Sequence, residues 1–441
     1  MKDWPQSVVE QVVEACAGGS VWIAYSGGVD SHVLLHLLAT SGQFPTEQLH
    51  AIHVDHGLSG QSGQWAEHCQ QIAADLTVDY DCIKVTVKGI ADHGIESAAR
   101  QARYGAIADH VLPQDTVLTA QHQNDQAETL LLQLLRGAGP KGLAAMPIQS
   151  SLADAQLLRP LLDVTQAQIV AYARQHHLQW IEEPSNRDVQ FNRNYLRHQL
   201  WPVLTERWPQ ASEVLSRSAR HCAEYDALAY DLGVLDLQTV IVEDETRQLA
   251  ISALMLLSTQ RQRNAIRTAL QQWDMPLPSQ RVLQALIDEV CLAEQDRVPM
   301  LSWFGVEVRR FQDKLFFDFP IGEWDHEASY DCSEPNPIAL ADGRVLDWVE
   351  TDMVGIRPAQ FEQGLILSFR QGGESIQLVG HAHHKSLKHL YQEWAIPPWE
   401  RMHVPLLFAG DELIGVVGYG YSQHCVLSEG EQGYLPLIKT V

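Results

Sequence analysis

Short apolar runs alternate with longer amphipathic stretches in the N-terminal part of the chain. The short runs predict buried strands, at 21–24, 48–54, 79–87 and 116–120. The longer stretches have the spacing of helices, at 33–38, 62–76, 95–112 and 124–136. Strands that alternate with helices predict an α/β fold whose parallel sheet is covered on both faces. Ligands bind such folds at the carboxyl ends of the strands, so we expect the functional residues there.

This alternation stops after about Trp208. Amphipathic helices are predicted at 210–232 and 250–293, and a pair of strands is expected near 298–319. The polar residues of 321–345 are typical of a linker, and short strands with turns follow it. We therefore expect an α/β domain, a mainly helical domain, a linker and a small α+β domain, at 1–215, 216–320, 321–345 and 346–441.

The first strand leads into Ser26-Gly27-Gly28-Val29-Asp30-Ser31 and then into a helix. The N-terminus of a helix presents free backbone N–H groups and a positive dipole end, which together bind anions. Positive φ angles are expected at Gly27 and Gly28, so that a phosphate approaches closely. Asp30 and Ser31 are expected at the N-cap and in the first turn. The other common phosphate loop, GxxxxGK[ST], is absent from the chain.

Two further strand ends carry polar motifs. His53 follows the second strand and is expected to line the pocket. His122, Asp125 and Glu128 lie at the start of a helix, where the two acids share one face. Two carboxylates beside a phosphate loop suit a metal or an ammonium group. A helix that is merely capped by acids is the structural alternative.

Composition narrows the function further. The 441 residues carry a net charge of −24, which argues against non-specific nucleic-acid binding but not against basic patches. The basic residues are concentrated at 187–221, 259–273 and 381–391. Seven cysteines without a CxxC pair predict a reducing, cytoplasmic environment and argue against a metal cluster. Neither a signal peptide nor a membrane span is expected.

The glycine loop resembles the PP-loop of the N-type ATP pyrophosphatases, which transfer AMP from ATP. Other strings are similar to those of the tRNA lysidine synthetases, namely HVDHGL, ESAARQARY, QHQNDQAET, LLRPLL, EEPSN and FNRNYLR. The C-terminal segment 368–408 resembles the C-terminal domain of the longer members. Four positions depart from the family pattern, namely Ser59, Gln121, Asn124 and Glu183. Asn124 supplies no charge where the family has an acid, which would weaken any hold on magnesium.

This resemblance implies ATP and Mg²⁺ as cofactors, with free lysine and a tRNA(Ile) that carries a CAU anticodon as partners. It implies adenylation of the wobble cytidine and then attack by the lysine amine, in a possible homodimer. The implied catalytic residues are Asp30, Asp125 and Glu128, with Asp30 also on the metal. The implied ATP-binding residues are Ser26, Gly27, Gly28, Asp30, Ser31, His53 and His122. The implied RNA or phosphate contacts are Arg100, Arg103, Arg193, Arg197, Arg261, Arg263, Arg267, Lys385 and Lys388.

Two other interpretations of the sequence remain open. One is a different PP-loop enzyme of tRNA, such as a base thiolase, although the lack of CxxC argues against the cluster-dependent kind. The other is a non-catalytic protein that binds RNA or nucleotide. The departures at Gln121 and Asn124 keep that interpretation open.

Overall fold

A computed structural model gives the fold of the chain. It describes residues 3–16, 18–57, 60–87, 95–182, 188–243, 246–294, 298–320, 325, 327–362 and 364–439, with backbone alone for 95 and 96. The chain forms two compact units, Met1–Leu232 and Gly233–Val441. Among the described residues, every helix is too short or too polar to cross a membrane.

The first unit contains one six-stranded sheet, in the order β3-β2-β1-β4-β6-β5. Five strands are parallel, and β5 pairs antiparallel with β6 in a hairpin that the periodicity did not predict. Strand β1 lies between β2 and β4, so the ends of these three strands are neighbours. The strands are β1 Val21–Ala24, β2 Leu49–Asp55, β3 Asp79–Lys84, β4 Thr116–Leu118, β5 Gln149–Leu152 and β6 Ala155–Leu158.

Helices cover this sheet as the alternation predicts. Helix α2 is buried along most of its length, because Val33, Leu34 and Leu35 pack into the core beneath β1. Removing this much apolar surface from water stabilises the fold by roughly 25 cal/mol per Å². The helices of the unit are α1 Trp4–Ala15, α2 Val29–Thr40, α3 Ser62–Asp75, α4 Ile95–Ala108, α5 Gln123–Leu135, α6 Pro140–Leu143, α7 Gln166–Gln175, α8 Asn192–Tyr195, α9 Trp201–Arg207 and α10 Ala211–Val240, which runs on into the second unit.

The second unit begins with helices packed on an antiparallel sheet of four strands, in the order β7-β10-β9-β8. We expected only a strand pair here. The short β7 lies far ahead of the others in sequence and offers too few residues for a periodic signal. The elements are β7 Gln248–Ala250, α11 Ile251–Met255, α12 Thr259–Gln272, α13 Gln280–Ala285, the π-helix Leu286–Cys291, β8 Met300–Trp303, β9 Val306–Phe311 and β10 Lys314–Asp318.

The C-terminal part of this unit consists of short strands and two short helices. Strand β13 pairs with the last strand, β20, along its whole length. Strand β12 pairs with the other side of β13, and the remaining strands form a five-stranded sheet and a two-stranded ribbon. The elements are β11 Tyr330–Asp331, β12 Ile338–Ala339, β13 Val345–Thr351, α14 Pro358–Glu362, β14 Leu365–Ser368, β15 Ser375–Ile376, β16 Lys385–Ser386, α15 Leu387–Glu393, β17 Leu406–Ala409, β18 Glu412–Val416, β19 Gly420–Tyr421 and β20 Gly433–Lys439.

Candidate active site

The glycine loop turns between β1 and α2 as the sequence predicts, but with one positive φ angle instead of two. Gly27 has φ +83°, whereas Gly28 has φ −72° and forms the N-cap of α2. A Cβ on Gly27 would lie 2.9 Å from both Cys69 Sγ and the Cδ1 atom of Ile181. The Ile181 N–H also donates to the Gly27 carbonyl at 2.9 Å. Gly27 is therefore required both by its conformation and by close packing.

Asp30, the expected N-cap residue, lies two residues beyond the actual cap, whereas Ser31 lies in the first turn as predicted. Helix α2 begins at Val29, so Asp30 and Ser31 belong to its first turn and Gly28 caps it. Ser31 Oγ accepts from the Ser26 N–H at 3.3 Å and donates to the Gly28 carbonyl at 3.1 Å. These bonds close the loop on itself. Because a glycine caps the helix without a side chain, the first backbone N–H groups stay available for an anion.

A cavity of about 900 Å³ opens at the carboxyl ends of β1, β2 and β4. Most of the predicted site residues line it, namely Ser26, Gly28, Asp30, Ser31, His53, Arg100, Arg103, Asp125, Arg193 and Arg197. Gly27 packs on the side of the loop away from the cavity. His122 and Glu128 contact the lining side chains of Asp30 and Arg193. The structure thus brings together the first-unit residues that the motifs identified, at the sheet edge where α/β folds bind ligands.

Two acids and two arginines form an ion-pair cluster at this cavity, which we call the acid–arginine cluster: Asp125, Glu128, Arg193 and Arg197. The Glu128 side chain is 4% exposed and accepts from Arg193 Nε at 3.0 Å and from Arg197 Nε at 2.8 Å. Asp125 Oδ1 accepts from Arg197 Nη2 at 3.0 Å. The predicted spacing of the arginines therefore places both in one cleft, where each meets a carboxylate.

Asp125 also caps its own helix. Its Oδ2 accepts from the His122 N–H at 3.1 Å, and the Asp125 N–H donates to His122 Nδ1 at 3.4 Å. Burial opposes ionisation of Asp125, but His122 and the two arginines outweigh it and hold its pKa below the ordinary value. The structural alternative of a capped helix and the proposed functional role therefore coexist at this residue.

Asp30 is electrostatically different from Asp125. Burial raises its pKa and the charge of Asp125 adds to this effect, whereas His122 and Arg197 oppose it. Its Oδ1 is buried without a hydrogen-bond partner among the described residues and lies 3.7 Å from His122 Nε2. Burying a carboxylate oxygen without a hydrogen-bond partner costs free energy of folding. Asp30 is therefore a candidate for binding a ligand.

The departures from the family pattern occupy structural positions. Asn124 Oδ1 accepts from the Gln166 N–H at 3.2 Å, at the N-terminus of α7. The side chain of Gln121 accepts from the Thr119 hydroxyl and lines the cavity. Asn124 thus holds a neighbouring helix in place of contributing charge to the pocket. The positions Ser59 and Glu183, most of the EEPSN string and the Glu96 side chain lie outside the described residues.

His53, which the sequence analysis predicted, has its Nδ1 atom 2.9 Å from the Tyr25 carbonyl. Other lining residues were not singled out, among them His56, whose Nε2 accepts from Arg103 Nε at 3.4 Å. Burial and the charge of Arg103 lower the pKa of His56. Trp65 and Tyr104 complete the wall. His56 and Tyr104 both lie inside sequence motifs that were considered for their charged residues. Their position in these motifs could have identified them as lining residues.

The basic residues predicted in the second unit differ in their surroundings. Arg261 is bound by the carboxylate of Asp236, and Arg263 donates to the Gln284 side chain. The basic face of α12 is therefore not free of acid, because α10 supplies one across the contact. Burial and the neighbouring Arg263 lower the pKa of Arg267.

The two C-terminal lysines were predicted to share a helix face, and this prediction is wrong. Lys385 lies in strand β16, and its Nζ is 2.9 Å from the Glu393 carboxylate. Lys388 lies on α15 and is exposed. The two-residue strand precedes the helix because Ser386 takes the N-cap position, so only Lys388 is helical.

Three family models match the chain: a PP-loop domain over residues 3–204, a TilS substrate binding domain over 249–316 and a TilS substrate C-terminal domain over 365–437. The solved U34-tRNA thiolase NcsA from Methanococcus maripaludis is similar with a TM-score of 0.42 and 15% identity, over 50% of this chain and 79% of that one. The tRNA(Ile)-lysidine synthase of Coxiella burnetii is 39% identical, covering 94% of this chain and 92% of that protein. That of Alkalilimnicola ehrlichii is 40% identical, covering 97% and 95%. At this identity over nearly the whole length, the chain belongs to the tRNA(Ile)-lysidine synthase family.

Proposed function

We propose that this chain uses ATP to join lysine to the wobble cytidine of a tRNA(Ile) with a CAU anticodon. Its membership of the family supports the proposal. The observation that carries it is the cavity, where an N-terminal helix turn, an unpartnered carboxylate and the acid–arginine cluster meet at one sheet edge. Such a site offers separate places for phosphate, for a cation and for the negative charge that develops in phosphoryl transfer.

The proposed reaction has two steps. The O2 atom of the cytidine attacks the α-phosphorus of ATP, and the bond to the leaving pyrophosphate breaks. The lysine ε-amine then attacks C2 of the adenylated base, the C–O bond to AMP breaks, and the amine loses its protons to base and solvent. Pyrophosphate and AMP are therefore the two products besides lysidine.

The loop is proposed to bind the pyrophosphate part of ATP. Ser26, Gly27, Gly28 and Ser31 form the turn, and the free N–H groups of α2 point to the cavity. His53 lies at the wall formed by β2, and His122 stands behind Asp30. We propose that these two histidines border the nucleotide.

Magnesium fits this donor set as a partner of ATP. Among the described residues, no group of three His, Cys, Asp or Glu could hold a metal by protein ligands alone. Mg²⁺ is usually held by one or two carboxylates together with water and phosphate oxygens, and Asp30 offers one unpartnered oxygen. Asp30 would hold the ion, which would neutralise charge on the phosphates.

The two acids of the cluster are proposed to act differently on lysine. Asp125 lines the cavity and is held ionised by its neighbours, which suits an ammonium group. Glu128 is enclosed by both guanidinium groups, so we propose that it acts through them. Arg193 and Arg197 then hold negative charge of the reacting groups or of the RNA.

The basic residues outside the cluster are proposed to bind tRNA. They include the rim arginines Arg100 and Arg103, the α12 arginines and the exposed Lys388. We further propose that the predicted domains 216–320 and 346–441 hold the tRNA, and that the protein acts in the cytoplasm, possibly as a homodimer. Light scattering of the purified chain, with and without tRNA, tests the dimer.

One assay tests the reaction. The protein is incubated with tRNA(Ile) transcript bearing CAU, ATP, magnesium and labelled lysine. Lysine label in the tRNA with an equal amount of AMP is the expected result, and the same transcript with a uridine at the wobble position is the control. Binding without AMP release, or modification that requires a sulfur donor instead of lysine, would contradict the proposal.

A further inference from the structure

Tyr104 holds Arg100 at the rim of the cavity in two ways. Arg100 Nη2 donates to the Tyr104 hydroxyl at 3.4 Å, and the Arg100 Cζ atom lies 5.0 Å from the centroid of the Tyr104 ring. Both residues lie on α4 and both line the cavity. A guanidinium group stacked on an aromatic ring keeps its other N–H groups free for a partner in solvent.

A second arginine lies behind Tyr104. Arg159 is 6% exposed, and its Nη1 donates to the Pro147 carbonyl at 2.8 Å and to Ser150 Oγ at 3.2 Å. Its Nε is buried without a hydrogen-bond partner among the described residues. Burial lowers the pKa of Arg159, and the charge of Arg100 lowers it further.

This arrangement is costly unless it serves a ligand. The contacts of Arg159 in the described part of the chain are with neutral atoms, which only partly offset the burial of a charge. Arg100 carries the same sign and is close enough to lower the pKa of Arg159. Two like charges near one another raise the local potential and favour an anion beside the exposed one.

We propose that Tyr104 is a positioning residue that holds Arg100 against a backbone phosphate of the bound tRNA. Arg100 makes the contact because it is exposed, whereas Arg159 is buried. ATP is the other source of phosphate at this cavity. We favour the tRNA because Arg100 is exposed at the rim, whereas the loop that fits ATP phosphates begins at the partly buried strand end. This inference rests on the proposed function.

The test is a double-mutant cycle in tRNA binding. The dissociation constant of tRNA(Ile) is measured over a range of salt for the wild type, Arg100→Gln, Tyr104→Phe and the double variant. Loss of one phosphate contact reduces the salt slope by about 0.9 and weakens binding several-fold. Arg100→Gln is expected to show this full change. Tyr104→Phe keeps the ring and is expected to show part of it, and the double variant is expected to equal Arg100→Gln.

Controls separate positioning from folding and from ATP binding. Arg174→Gln removes an exposed arginine of α7 outside the cavity and is expected to leave the slope unchanged. The melting temperature and the affinity for a non-hydrolysable ATP analogue are expected to stay at the wild-type values in Tyr104→Phe.

Two results would overturn the inference. Additive losses in the cycle would show that Tyr104 does not act through Arg100. A wild-type salt slope in Arg100→Gln, or weaker binding of the ATP analogue with unchanged tRNA binding, would remove the phosphate of tRNA as the ligand. Lysine incorporation by the wild type is measured in parallel, so that failure of the proposed function is seen separately.

Discussion

Arg197 in the first unit and Arg261 in the second both contact a carboxylate that is almost fully buried, yet their surroundings differ. Arg197 belongs to the acid–arginine cluster, which borders a cavity and stands beside the unpartnered oxygen of Asp30. Arg261 closes on Asp236, whose side chain is 1% exposed, on a helix face. The residue types are the same, so they do not determine the role. The end of a parallel strand and an unsatisfied neighbour distinguish the pair for which we propose a function.

The largest effect is expected for Asp30, since it is the group that lacks a partner. We expect Asp30→Asn to reduce AMP release by about 10³-fold, because a neutral side chain no longer stabilises the charges at the phosphates. Binding of tRNA is expected to survive, because the rim arginines are unchanged. AMP release is measured in single turnover with saturating ATP, and Asp163→Asn, at an exposed position, serves as the control. Loss of both activity and tRNA binding would contradict this assignment.

The same variant also tests the cost of that carboxylate to the fold. The folded-state pKa of Asp30 is raised, so the native state holds its proton more tightly than the unfolded state does. The free energy of unfolding therefore falls as the pH rises from about 3.9 through the folded-state pKa. We expect Asp30→Asn to be more stable than the wild type at pH 7 and equal to it in acid. Urea unfolding at both pH values measures the difference.

The next largest effect is expected for Glu128, which joins the two arginines. Glu128→Gln leaves two guanidinium groups beside a neutral amide, and breaking a buried pair costs about 3 kcal/mol. The partial exposure of the arginines, 22% and 31%, reduces this figure. We expect a lower free energy of unfolding in urea and reduced activity. Wild-type stability with normal activity would show that the cluster is no more than surface pairing.

A buried histidine outside the cavity provides a contrast between burial and function. Burial lowers the pKa of His32 to about 4, and the nearby His36 and His68 add to the effect. The neutral imidazole therefore contributes stability that is present above pH 6.5 and is lost as the pH falls toward 4. We expect the free energy of unfolding to fall by about 2 kcal/mol between pH 7.5 and 5 from this residue.

His32→Gln should flatten that pH dependence without changing AMP release at pH 7.5. The measurement is urea unfolding of the wild type and the variant at both pH values. An unchanged acid limb would place the titrating group elsewhere. A loss of activity at pH 7.5 would show that this histidine influences the cavity, and the contrast with the Asp30 region would then fail.

The sequence predicted the first unit far better than the second. Its strands and helices follow strong periodic signals, and motif residues at strand ends must meet because parallel strands share one carboxyl edge. Partners across the chain were not predictable in this way. Nothing near Asn124 in sequence indicates that its amide caps α7, and nothing near α12 indicates the acid on α10. Such contacts depend on tertiary packing and not on spacing along one helix.

The motifs also did not predict the local backbone geometry of the glycine loop. Both glycines of the loop allow positive φ, and only Gly27 adopts it. At Gly27, Cys69 and Ile181 also leave no room for a Cβ. The Ile181 contact joins residues that are far apart in sequence. The motif therefore predicted the turn from strand to helix, whereas the packing reason for Gly27 lies in tertiary contacts, and the anion site stays a prediction.

The smallest effect is expected on the basic face of α12, where the comparison with Arg261 is sharpest. Arg267 lies beside another arginine, Arg263, and burial followed by that charge lowers its pKa. Arg261 already has its counter-ion.

If the face binds tRNA, Arg267→Gln should reduce the salt slope of tRNA binding by about 0.9 and weaken binding a few-fold. Arg261→Gln should leave the slope unchanged and lower the melting temperature, because Asp236 would remain buried without a partner. The exposed Arg281 on α13 serves as the control, as Arg281→Gln. Equal slopes in all three variants would remove this face from the tRNA interface and leave the first unit as the part that carries the binding.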